Sequence, residues 1–175
     1  MINEKMFKKC NWRDFYHDVT EAIPGVMPVP RGNPMPTHCF VDANRRSQTD
    51  ILIFCNKASI IWFSKRQNTV EASTFGSEFQ AMKNAVELTE ALRCELRMFS
   101  VPIDGPTNIF CDNEAVYKNM SLPESTLKKT HHAIAYHRCR TVRVAKEGTK
   151  TNLSDLFTKL LPQPRREELL DKFTY

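Results

Sequence analysis

Glycine is scarce, with five in 175 residues, and together with an aromatic content of 10% and an apolar content of 41% this excludes a fully disordered chain and favours packed secondary structure. The six cysteines (10, 39, 55, 94, 111 and 139) include no C-x-x-C pair, which argues against a zinc knuckle or ribbon; several sit in apolar runs and read as buried free thiols. No apolar stretch approaches the roughly 18 residues of a membrane span, and the first residues, MINEKMFKKCNWRDF, lack the apolar core of a signal peptide. A reducing, intracellular setting is therefore expected. Net charge is also modest: 25 basic against 20 acidic side chains give +5, which permits a polyanionic partner without establishing one.

What is present has a clear order. The ten prolines act as punctuation, and the densest group, between Pro24 and Pro36, reads as an extended linker. Residues 1–36 are accordingly expected to be a leader, residues 37–161 a domain, and residues 162–175 a tail. Within the domain, strands are predicted at His38–Val41, Ile51–Cys55, Ser59–Ser64, Thr107–Cys111 and Val142–Val144. A long helix is predicted from about Thr74 to Phe99, with Phe75, Phe79, Met82, Val86, Leu92, Leu96 and Phe99 inside and Glu87, Glu90, Arg93 and Arg97 outside. Shorter helices are predicted at Glu114–Met120, Ala133–Arg140 and Leu153–Leu161, and Arg165–Phe173 reads as an amphipathic tail. A strand, a long helix and a return strand imply a parallel pair inside a mixed sheet, so the expected class is α/β with helices covering the sheet.

Four carboxylates stand out by position. Asp42 ends the first strand, Glu78 lies in the first turns of the long helix, Asp112 follows the fourth strand, and Asp155 lies near the start of a late helix. They are too far apart in sequence for a local motif; only a sheet can assemble them. Clustered carboxylates repel one another unless cations compensate, and Mg²⁺ or Mn²⁺ prefers such oxygen ligands. Two such ions suit in-line phosphodiester displacement. Taken singly, each acid also fits a turn, a cap or a favourable helix-dipole position. From Lys128 to Lys150 seven basic residues face one acid, Glu147. That stretch is either a solvated face or a phosphate-binding surface.

The blocks CFVDAN (39–44), IIWFSKRQNTVEASTFGSEFQAM (60–82), IFCDNEAVYKNM (109–120), THHAIAYH (130–137) and TNLSDLFTKLL (151–161) together resemble the ribonuclease H region of the Pol polyprotein of copia-type LTR retrotransposons. The resemblance implies a ribonuclease H-like fold with a mixed five-stranded sheet and helices on both faces. It also implies cleavage of the RNA strand of RNA–DNA hybrids with two Mg²⁺ (or Mn²⁺) ions held by Asp42, Glu78, Asp112 and Asp155. His131 matches a histidine of the family and would assist catalysis. Ser73, Asn113, Lys128, Lys129, Arg138, Arg140 and Lys159 would shape the site or meet the nucleic acid, although capping and fold support are simpler roles for Ser73, Asn113 and Lys159. The implied partners are an RNA–DNA hybrid and the reverse transcriptase portion of the same polyprotein, with no membrane. The implied location is the cytoplasm or virus-like particles within it, with a nuclear stage open.

The pattern departs from the family in two shortened segments, after Asn44 and after Arg140, and in Ala133, which stands where the family has an acid. These departures leave two rival expectations, an inactive nucleic-acid-binding remnant and a purely structural domain. The first would misplace Asp155; the second would use the acids only as caps and turn residues and predicts no Mg²⁺-linked stabilisation.

Overall fold

The computed structural model describes residues 23–44, 48–68, 73–121, 141–148 and 151–173. Five strands and four helices follow in the order β1 (Thr37–Ala43), β2 (Gln48–Cys55), β3 (Ala58–Arg66), α1 (Thr74–Met98), β4 (Thr107–Cys111), α2 (Glu114–Ser121), β5 (Val142–Lys146), α3 (Asp155–Thr158) and α4 (Gln163–Phe173). The strands form one mixed sheet in the spatial order β3-β2-β1-β4-β5. The first three pair antiparallel, and β4 joins β1 and β5 in parallel. A two-residue turn, Asn56-Lys57, links β2 and β3, with Asn56 at φ 54° as a tight hairpin favours.

Alternation along the strands divides the core in two. Cys39, Val41, Ile51, Ile53, Ile109 and Cys111 face α1 and α2, where they meet Phe79, Met82, Val86 and Val116. Phe40, Leu52, Phe54 and Phe110 face the other way, toward Ala145, Leu153 and Leu169. Both faces are apolar because helices cover both, as expected for a sheet with central parallel strands. Phe40 stacks on Phe110 at 5.0 Å and meets Phe54 edge-on at 5.9 Å. The α/β class and the five-stranded mixed sheet flanked by helices therefore stand.

Several boundaries and faces differ from the sequence expectation. Phe99 caps α1 and is 79% exposed, because the chain turns away there through Ser100 at φ 63°. Arg93, expected outside, is buried and donates to the Thr107 hydroxyl at 3.1 Å. The predicted helix Leu153–Leu161 shrinks to one turn: Lys159 is already extended, three residues before Pro162. The segment 163–173, read as a tail, is a helix that buries Leu169 completely in the second core. The end of the proline-rich leader lies against the loop after α1, through Arg31 N–H to Ser100 O and Met35 N–H to Pro102 O. The predicted helix Ala133–Arg140 lies outside the described residues. Among the described residues no helix is long and apolar enough to cross a membrane.

Candidate metal centre

The parallel register sets the site. His38, Cys39 and Phe40 of β1 pair with Asn108, Ile109 and Phe110 of β4. Continued two residues, that register brings Asp42 level with Asp112 at the same edge of the sheet. Asp42 is 1% exposed.

Glu78 arrives from α1, whose first turn is fixed at two points. Ser73 is the N-cap and accepts from Gly76 N–H at 3.0 Å. Gln67, just beyond β3, donates from Nε2 to both Thr49 Oγ1 and Ser77 O at 2.8 Å, tying the residue before Glu78 to the sheet. The S-K-x-Q…S…E block in the sequence thus encodes a clamp for Glu78.

One oxygen each from Asp42, Glu78 and Asp112 lies within 4.8 Å of the others. Such a hard, oxygen-only set suits Mg²⁺ or Mn²⁺ and not a soft thiolate-seeking metal. Burial and the charges of Glu78 and Asp112 push the neighbouring Cys111 thiol up to about 12, so it remains a thiol and competes poorly as a ligand.

Asp155 approaches from the opposite face of the sheet. Asn152, fully buried, donates to Val41 O at 3.1 Å and accepts from the Ser154 hydroxyl at 2.6 Å, pinning the turn before α3 to β1. Asp155 is not in the close trio of carboxylates. It joins them through Lys159, whose Nζ lies 2.6 Å from Asp155 Oδ1, 3.5 Å from Asp42 Oδ2 and 3.7 Å from Asp112 Oδ2.

The electrostatics reflect this crowding. Burial, then the charges of Asp42 and Asp112, raise the Glu78 carboxyl to about 8, against the opposing pull of Lys159 and a hydrogen bond from Ala43 N–H. Asp112 is raised by burial and by Asp42. For Lys159, burial acts to lower the ammonium, but the hydrogen bond to Asp155 and the three nearby aspartate charges outweigh it and the group is raised. A fifth acid, Asp50, pairs with Asp42 across β1 and β2, is fully buried and is raised chiefly by burial. In the sequence it precedes the apolar run Ile51–Cys55 and reads as part of the connection between two strands.

The other expected contacts divide sharply. Asn113 caps α2, accepting from Ala115 N–H at 2.9 Å and Val116 N–H at 3.2 Å, and Ser73 caps α1. Lys159 points at carboxylates. Lys146, at the described end of the basic stretch, pairs with Glu114 at 2.8 Å. His131, Lys128, Lys129, Arg138 and Arg140 lie outside the described residues.

A sheet of this order, with carboxylates from β1, α1 and the end of β4 gathered at one edge, matches a ribonuclease H-like architecture and carries a cluster able to chelate a divalent metal. No family model matches the chain. It is 25% identical over 144 residues to the retrovirus-related Pol polyprotein from transposon RE2 of Arabidopsis thaliana, covering 75% of this chain and 10% of that protein. To the corresponding polyprotein from transposon RE1 of the same plant it is 24% identical over 155 residues, covering 81% of this chain and 11% of that protein. The chain spans about a tenth of the length of these relatives. Among solved structures, it aligns with a foamy viral protease-reverse transcriptase in complex with double-stranded DNA at a TM-score of 0.49 and 16% identity, over 86% of this chain and 27% of that one. It aligns with LC11-RNase H1 in complex with an RNA/DNA hybrid at 0.44 and 16%, over 67% and 88%. The chain is thus similar in sequence to a stretch of retrotransposon Pol polyproteins, and its mixed sheet matches a ribonuclease H-like architecture.

Proposed function

We propose that this domain hydrolyses the RNA strand of RNA–DNA hybrids, by two-metal-ion catalysis, during reverse transcription of a copia-type retroelement. The observation that carries the reading is the convergence of Asp42, Glu78 and Asp112, from three separate elements, at one sheet edge. Like charges gathered in a half-buried site lower stability, and a divalent ion offsets that cost. Asp42 and Asp112 would make the central metal contacts, with Glu78 and Asp155 on opposite sides. Bound Mg²⁺ or Mn²⁺ supplies water activation and stabilisation of the leaving 3′-oxygen. The chain's own carboxylates would hold the ions, with Glu78 and Asp155 positioned by the Gln67 and Asn152 clamps, and the basic stretch around Lys128–Lys150 would bind the hybrid backbone, with His131 assisting. The 2′-hydroxyl marks the strand to be cut, and 5′-phosphate and 3′-hydroxyl ends result. Residues 37–161 are the working unit in this reading. It acts beside the reverse transcriptase portion of the same polyprotein, in the cytoplasm or in virus-like particles there.

A second reading draws on the position of Lys159. Its ammonium already offsets the acidic cluster, so a structural or inactive remnant also accounts for the assembly of Asp42, Asp112 and Asp155. Cleavage of a labelled RNA–DNA hybrid with Mg²⁺ or Mn²⁺ separates the two. The proposal expects the RNA strand to be cut and cutting to vanish in Asp112→Asn. Folded protein that binds hybrid without cutting it supports the remnant.

A further inference from the structure

Lys159 holds an unusual place. Its Nζ lies within 4 Å of three carboxylates that no local sequence motif groups: Asp42 at the end of β1, Asp112 after β4 and Asp155 on α3. Asp155 reaches them from the second face of the sheet, on the short helix that follows the buried Leu153. The trio Asp42–Glu78–Asp112 is close enough to share one cation directly, whereas Asp155 is linked to Asp42 and Asp112 by the ammonium.

We propose that Lys159 is a resident cation of this centre, holding the Asp42–Asp112–Asp155 side until a divalent ion displaces it. The inference rests on the metal-binding reading of the cluster. Asp42 Oδ2 and Asp112 Oδ2 already face the ammonium, and a divalent cation drawn to those same oxygens would meet a like charge at short range. The two occupants exclude one another. Withdrawal is sterically cheap, because the Lys159 side chain is 38% exposed and its backbone is extended beyond the last turn of α3. The ammonium therefore preassembles the carboxylates when ions are scarce and raises the ion concentration needed to fill the site.

The test is Mn²⁺ binding to the full 175-residue chain, by calorimetry and by the spin resonance of free Mn²⁺, for the wild type, Lys159→Met and Lys159→Arg. Removing the competing charge is expected to tighten binding in Lys159→Met by about tenfold, while Lys159→Arg stays near the wild type. Equal or weaker binding in Lys159→Met overturns the inference and leaves the metal site standing. No uptake by either the wild type or Lys159→Met overturns both. A second readout needs no altered site: the Lys159 ammonium nitrogen resonance, assigned by its loss in Lys159→Arg, is expected to move as Mg²⁺ is added to the wild-type protein. A resonance unchanged through saturation contradicts displacement even if Lys159→Met fails to fold.

Discussion

At the N-terminal end of β1 and β4, Thr37 and Thr107 hydrogen-bond through their hydroxyls, and Thr107 also accepts from the buried Arg93 guanidinium. At the C-terminal end of the same two strands, Asp42 and Asp112 sit together with Glu78, and Lys159 bridges the two aspartates to Asp155. Both ends bury polar groups in the same sheet. At the first they complement one another, donor to acceptor. At the second they are alike in charge, and burial, together with that mutual repulsion, raises the Glu78 and Asp112 carboxyls. Sites that bind or react accept such a cost, whereas structural networks avoid it.

The comparison breaks most visibly at Asp112. Asp112→Asn is expected to lower hybrid cleavage by at least about a hundredfold and yet to raise the melting temperature of the metal-free protein, because one repelling charge is gone. Loss of both activity and stability would make Asp112 a structural residue like Thr107.

The two ends should also respond oppositely to pH. Burial lowers His38, near the N-terminal end, to about 4 from an ordinary 6.5. The unfolded chain therefore takes up the proton first, and stability falls as pH drops from 6.5 to 4, by about 3 kcal/mol in total. Chemical denaturation across that window should show the fall in the wild type and a flatter profile in His38→Asn.

Arg93→Met tests the complementary network directly. It is expected to cost about 2 kcal/mol, read as a lowered denaturation midpoint, with cleavage per folded molecule unchanged. A loss of turnover in the folded variant would tie that end of the sheet to the chemistry.

Glu78, at the other end, should respond to pH in the opposite sense. Its folded carboxyl titrates near 8 against an ordinary 4.5, so the folded state holds the proton more tightly and stability falls as pH rises between those values. Glu78→Gln should therefore gain on the wild type as pH rises toward 8 without metal, read as a rising difference in denaturation midpoint. A saturating divalent ion should reverse that ranking, since it binds the ionised carboxylate.

Much of this contrast was legible in the sequence at one end and little of it at the other. Asp42, Glu78 and Asp112 announced themselves because strand ends and a helix start are readable from alternation and period, and a parallel pair brings such ends together. Arg93 read as an outward charge, because period alone cannot show that the Thr107 hydroxyl waits for it at the start of β4. Asp155 was found, but its route to the site was not: Asn152, buried against Val41 O, does the positioning, and the apparent helix to Leu161 is cut short by the extended Lys159. The closing helix read as a tail because a single inward residue, Leu169, carries its burial. Asp50 was hidden because Gln48-Thr49-Asp50 reads as a polar connection, while β2 in fact begins at Gln48.

The central claim is that the C-terminal edge of β1 and β4 is a divalent-metal site. Titration calorimetry of Mg²⁺ and Mn²⁺ into the wild-type chain and Asp42→Asn tests it most directly. Saturable uptake by the wild type, lost or severely weakened in Asp42→Asn, is the predicted result. Absence of uptake by the wild type, or equal uptake by both, would contradict it.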